Sequence, residues 1–129
     1  MHFPTNLKYS REHEWVRVEG QRAVVGITDF AQSQLGDVVF VELPAVGATL
    51  IAGKRFSVVE SVKAVSDIFA PVNGKVLEIN ETLNDAPEKV NQDPYGEGWI
   101  AVIEWTSAGD LAELMNSEAY AEQVAKGGH

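Results

Sequence analysis

Short apolar runs broken by turn residues dominate the chain. Glu14-Trp15-Val16-Arg17-Val18 and Arg22-Ala23-Val24-Val25-Gly26-Ile27 flank Glu19-Gly20-Gln21, the pattern of two strands joined by a turn. Residues 28–36 break that pattern. Thr28 is a helix-capping residue, Phe30, Ala31 and Leu35 fall on one helical face, and Gly36 ends the segment. From Asp37 to Ile79 the strand pattern returns, interrupted at Pro44-Ala45-Val46-Gly47, at Ala52-Gly53-Lys54, around Lys63 and at Asn73-Gly74. Lying between Phe69-Ala70-Pro71-Val72 and Lys75-Val76-Leu77-Glu78-Ile79, Asn73-Gly74 predicts a two-residue hairpin turn. A polar loop through Asn84, Pro87, Asn91, Pro94 and Gly98 then leads to the apolar Trp99-Ile100-Ala101-Val102-Ile103. Finally, Leu111, Leu114, Met115, Tyr120 and Val124 recur at helical spacing, predicting a C-terminal helix around 110–126 capped by Ser107 or Asp110 and packed on a sheet. Strands at such short intervals predict a mainly β sandwich or barrel rather than alternating βαβ units. A faint echo between 46–50 and 79–83, on either side of Lys63, is what two similar half-sandwiches would leave.

Composition narrows the function classes. A chain of 129 residues predicts a single domain, and 45% hydrophobic with 22% charged residues is an ordinary globular composition. Ten Lys and Arg against nineteen Asp and Glu give a net charge of −9, which repels phosphate backbones and anionic lipid surfaces. Nucleic acid and membrane are therefore not expected as partners; proteins with basic docking surfaces are. With no Cys there is no disulfide, thiolate metal site or cysteine nucleophile, so any sulfur chemistry must come from an added group. The N-terminal Met1-His2-Phe3-Pro4-Thr5-Asn6 shows no basic segment followed by an apolar run, and no apolar stretch approaches the roughly 20 residues needed to cross a bilayer, so a cytoplasmic location is expected.

Motifs for independent catalysis fail on spacing. Between Gly47 and Gly53 lie five residues where a phosphate loop needs four, and Arg55 stands where Ser or Thr should bind magnesium. His13-Glu14 is not followed by a second His four residues after the first, and His2 and His129 sit at the ends, so no metal site is expected. There is no Gly-x-Ser-x-Gly elbow.

The chemistry concentrates at residues 56–74, where two apolar half-strands flank a polar tip with a single lysine, Lys63. Glu60-Ser61-Val62-Lys63-Ala64, followed by Ala70-Pro71-Val72-Asn73-Gly74, resembles the swinging-arm carrier domains that bear lipoyl or biotinyl groups on lysine. Biotinyl domains have Met on both sides of that lysine; Val62 and Ala64 stand there and favour lipoyl. Further motifs, Leu7-Lys8-Tyr9-Ser10-Arg11-Glu12-His13-Glu14-Trp15, Val25-Gly26-Ile27-Thr28, Leu35-Gly36-Asp37-Val38-Val39-Phe40-Val41-Glu42-Leu43-Pro44 and Val90-Asn91-Gln92-Asp93-Pro94-Tyr95, extend the resemblance from about residue 7 to 125. Over that span the chain resembles the H-protein family of the glycine cleavage system.

The resemblance implies a barrel-sandwich hybrid over 1–129, with a short internal helix and a C-terminal helix. It implies lipoate in amide linkage to Lys63, changing the net charge from −9 to −9 − 1 = −10. The chain would then be a carrier rather than an enzyme, shuttling an aminomethyl group from glycine decarboxylase, a pyridoxal phosphate enzyme, to a tetrahydrofolate-dependent aminomethyltransferase. Electrons would pass to dihydrolipoyl dehydrogenase. A cleft beside the hairpin would shelter the loaded arm, with Glu14 and Asp67 facing its amine; their ordinary readings are a solvent-facing strand residue and a hairpin acid. Glu60, with Asp67, would help lipoyl-attaching enzymes recognise the hairpin through a basic surface. Two other roles fit the same residues, a lipoyl donor in a relay to other lipoyl domains and an unmodified interaction module. Trp15, Trp99, Trp105, Tyr95 and Phe69 read as core aromatics, and His13 as a hydrogen-bonded structural residue.

Overall fold

A computed structural model describes residues 1–127. Nine strands form two antiparallel sheets. The larger has six strands in the order β1 (Lys8–Tyr9), β2 (Glu14–Glu19), β3 (Arg22–Ile27), β9 (Ala101–Trp105), β8 (Gly74–Ile79) and β5 (Thr49–Leu50). The smaller has three, β4 (Val38–Glu42), β6 (Arg55–Ser61) and β7 (Val65–Phe69), with β6 in the centre. Five short helices complete the described residues: α1 (Asp29–Leu35), α2 (Thr82–Asp85), α3 (Lys89–Gln92), α4 (Ala108–Ala112) and α5 (Ser117–Ala125). The mainly β architecture with a short internal helix and a C-terminal helix is as the sequence predicts.

The middle of the larger sheet is covered on both faces. Trp15, Val24 and Val102 point to a layer that contains Tyr9 and Tyr120, while Val16, Val25 and Ile103 point to a second layer with Leu50, Val72 and Val76. Such double burial requires apolar residues at successive positions and explains the unbroken runs in β3 and β9. A third cluster seats the smaller sheet: Val41, Val59 and Ile68 pack with Leu35 of α1, Leu83 of α2 and Val90 of α3.

Several local expectations hold. Glu19 pairs with Arg22 across a two-residue connection. Thr28 caps α1 by accepting the Ala31 N–H at 3.2 Å, and the Gly36 N–H closes the helix on the Gln32 carbonyl. The Asn73-Gly74 hairpin does not form. β7 pairs only with β6, and β8 pairs with β9 and β5, so this dipeptide carries the chain from one sheet to the other. Gly74 is needed for close approach rather than for a turn, since a Cβ there would lie 2.3 Å from the Glu104 carbonyl oxygen. Asn73 accepts the Ala52 N–H and donates to Asp110, pinning the crossing. The predicted C-terminal helix is two helices. Met115 forms a bridge with Tyr9, and Asn116 then caps α5 by accepting the Ala119 N–H at 2.8 Å. Ser107 caps α4. The echo between 46–50 and 79–83 has no structural counterpart, because Thr49–Leu50 is a strand and Thr82–Asp85 a helix.

Gly74→Ala is expected to force β8 off β9 and destabilise the fold by about 3 kcal/mol, lowering the thermal midpoint by roughly 10 °C. A calorimetric scan matching the parent would show that the strands part without cost.

Candidate functional site

Lys63 lies in the turn that joins β6 to β7, and it is exposed. The turn is short and closed from inside. The Ser61 N–H donates to the Ala64 carbonyl at 2.8 Å, and the Ser61 hydroxyl oxygen accepts the N–H groups of Lys63 and Ala64 at 3.2 and 3.0 Å. A fourth tie runs from the Val62 N–H to the Asp37 carbonyl at 3.0 Å. The backbone is thereby held while the lysine side chain stays free of it.

The stem of Lys63 rests on the loop after α1. A Cβ on Gly36 would come within 3.3 Å of the Lys63 Cε, and Gly36 has a φ of 79°, so glycine answers two demands at this position. Asn91 of α3 holds the loop in place. It donates to the Gly36 carbonyl at 2.8 Å and to the Gln32 side chain at 3.0 Å, and accepts the Val38 N–H at 2.9 Å.

Two cavities flank β7. The first, of about 360 Å³, lies beside the turn and is lined largely by apolar side chains, among them Ile27, Phe30, Leu35, Val65 and Ile68, with Glu12 and His13 contributing charge and polarity. His13 adopts a left-handed backbone, φ 75°, and its Nδ1 lies 2.8 Å from the Tyr120 hydroxyl, which in turn lies 2.7 Å from Thr28 Oγ1. A non-glycine residue there is strained, and the bonds that hold it join α5, β2 and the start of α1. The second cavity, of about 350 Å³, is lined by Glu14, Phe69, Asp110 and Leu114 among others, and Glu12 borders both cavities.

Glu14 is not a solvent-facing strand residue; it is 1% exposed. Its carboxylate accepts the Ser10 hydroxyl at 2.5 Å and the Phe69 N–H at 3.3 Å, tying β2 to the end of β7. Burial pushes this carboxyl up to about 7, against the opposing pull of those two hydrogen bonds and with a further push from the charge of Glu12. Asp67 lines neither cavity. It sits on the outer face of the smaller sheet, exposed and 3.9 Å from Arg55. Glu60 is half-buried on β6, where it pairs with Phe40 on one side and Val65 on the other. Among the described residues no group of three or more His, Cys, Asp or Glu side chains is placed to hold a metal, and no helix is long and apolar enough to cross a membrane.

The family model described as Glycine cleavage H-protein matches residues 7–127. The chain belongs to the glycine cleavage H-protein family. It is similar to the glycine cleavage system H proteins of Geobacillus sp. (strain WCH70), at 54% identity over 98% of this chain and 100% of the relative, and of Anaeromyxobacter sp. (strain K), at 58% over 93% and 94%. Among solved structures it is similar to the crystal structure of the glycine cleavage system H protein from Mycobacterium marinum, with a TM-score of 0.88 and 40% identity, covering 95% of this chain and 99% of that one.

Within this chain the structure gathers Lys63 and the first cavity at one end of the smaller sheet, places Glu14 on the wall of the second cavity, and leaves Asp67 on the opposite face of β7 from Ile68. Ser61, Asn91 and Glu12 also shape the site. The Ser two residues before the lysine was a readable turn signal. Asn91 stands in a motif of the resemblance, but its bonding was not readable, because its partners lie 53 to 59 residues away in sequence.

A carboxyl with a raised pKa holds its proton more tightly in the folded state. Its contribution to stability is complete below the unfolded value of 4.5 and is lost as pH rises through about 7. Glu14→Gln, which stays neutral, should therefore gain on the order of 3 kcal/mol relative to the parent H protein between about pH 4 and about pH 8. Urea midpoints at the two pH values measure this, and parallel pH profiles would contradict a raised Glu14 pKa.

Proposed function

We propose that the chain is the lipoyl carrier of a glycine cleavage system, with lipoate in amide linkage to Lys63 and residues 1–129 acting as one carrier domain. The observation that carries this reading is an exposed lysine in a closed turn between paired strands, in a chain whose family match spans residues 7–127. The surroundings fit the group. Lys63 is exposed, and the neighbouring cavity, at about 360 Å³ with a mostly apolar lining, suits an alkyl arm.

When attached, the dithiolane supplies the sulfur chemistry that this Cys-free chain lacks, taking up the aminomethyl cargo and the electrons. Everything else falls to the chain's own residues. Ser61 and the β6 and β7 ladder fix the root of the arm, so that only the side chain sweeps between docked enzymes, raising the local concentration of the cargo at each. Ile27, Phe30, Leu35 and Ile68 exclude water from a resting arm. Glu12, which lines this cavity, and Glu14, which lines the second cavity that Glu12 also borders, offer carboxyl oxygens to the protonated amine of the cargo. Asp67, on the opposite face of β7 and paired with Arg55, does not face an arm resting in this cavity. Glu60 marks the hairpin for lipoyl-attaching enzymes. The role requires glycine decarboxylase, an aminomethyltransferase and dihydrolipoyl dehydrogenase as further partners.

Intact-mass measurement decides the attachment. Incubated with a lipoylating system, the parent should gain one lipoyl increment and Lys63→Arg none; an unmodified parent would sink the reading. Glu14→Ala should accept the same increment yet lose the aminomethyl cargo to water about tenfold faster, the cost of one charge-assisted hydrogen bond. Equal rates of loss would remove Glu14 from the role.

A further inference from the structure

One sheet face of the chain is apolar in sequence and uncovered in structure. The continuous apolar runs of β3 and β9 are buried on both sides. β4 carries a run of the same kind, Val38-Val39-Phe40-Val41, but only its ends turn inward. Val38 and Val41 are 3% and 1% exposed, whereas Val39 and Phe40 are 53% and 47% exposed. An extra residue in the β4–β6 register between Val38 and Phe40 accounts for two successive side chains facing out. Phe40 pairs with Glu60 and Glu60 with Val65, so these three side chains make one row across the sheet, with Val65 67% exposed. Val62, 69% exposed, hangs from the turn beside Lys63.

The patch therefore surrounds the root of Lys63, and its setting is acidic. Glu60 lies within the row, and Glu42 and Asp67 occupy the next row on either side of Val58. The cation beside them, Arg55, is paired with Asp67. Phe40 and Val65, at the two ends of this row, are open to a partner.

We infer that this face docks the enzyme that acylates Lys63, a protein presenting an apolar depression rimmed by Arg or Lys side chains. The inference rests on the proposed modification of Lys63. Reach selects the occupant: a lysine side chain extends only roughly 6 Å from Cα to Nζ, so an enzyme forming a bond to that nitrogen must press against the turn and its neighbours. Enzymes acting at the far end of an acylated arm have no such need. The apolar row supplies the buried centre of the contact, and the carboxylates steer a basic rim onto it.

The test uses the full apo chain with purified lipoate–protein ligase, ATP and lipoic acid, following the mass of Lys63-modified product. Binding is measured separately by titration in a Lys63→Arg background, which does not turn over. Phe40→Ser combined with Val39→Ser is expected to raise both Kd and KM about tenfold or more, leaving kcat and the thermal midpoint unchanged. Val46→Ser combined with Ile51→Ser, which removes comparably exposed side chains flanking β5, should change neither constant. Glu60→Lys should raise KM most at low salt, its effect shrinking as salt is added. A parent-like Kd for the Val39 and Phe40 variant, or an equal loss in the β5 control, overturns the docking surface while leaving the modification intact. A parent that gains no mass at Lys63 overturns the modification and, with it, the surface.

Discussion

A lysine serves as the root of a moving arm only if the backbone beneath it does not move, and that constraint rests on the closure between Ser61 and Ala64. One backbone hydrogen bond and two bonds to the Ser61 hydroxyl oxygen hold four residues together, and the Asp37 carbonyl fastens the turn sideways to the head of β4. These bonds are small individually, of order 1 kcal/mol each. They hold because β6 is the central strand of its sheet, paired along its length on both sides. The turn inherits the rigidity of that ladder, whereas the lysine stem lies exposed beside Gly36.

The support continues away from the turn in connected steps. The loop on which the stem rests is kept in shape by Asn91, which sits in α3, and Val90 of the same helix packs with Val59 and Ile68 of the smaller sheet. On the other flank, Tyr120 of α5 reaches His13 and Thr28, so the last helix of the chain braces both the strained residue at one cavity wall and the cap of the helix that forms another. Gly74 and Asn73 set how closely the chain passes from one sheet to the other. The cavity beside Lys63 is therefore shaped by residues drawn from nearly the full length of the chain.

What was legible in the sequence is what short-range chemistry controls. Thr28 and Gly36 bracket a helix because capping is local, and Gly20-Gln21 joins two strands because a turn needs only its own residues. Asn73-Gly74 misled because glycine has two uses: the dipeptide that favours a tight turn also allows one backbone to pass against another, and only the neighbouring strand decides between them. The C-terminal periodicity continued across a real break, since the bridge between Met115 and Tyr9 is a contact spanning most of the chain. Glu14 lies in a stretch that reads as an ordinary strand; its burial depends on Ser10 and on Phe69, which is 55 residues away. Lys63 could be singled out by its surroundings in sequence, whereas the cavity beside it could not, because its walls are assembled only by folding.

The two sheets divide the demands on the chain unequally. In the six-stranded sheet nearly every inward position is committed to one of two packed layers, so a change there is felt first as a loss of folding. The outer face of the three-stranded sheet contributes less of that kind, since Val39 and Phe40 are about half exposed. Selection on persistence and selection on recognition thus act on separate sets of residues, and a lineage could exchange the molecules it meets by altering one thin surface while the scaffold behind it stays the same.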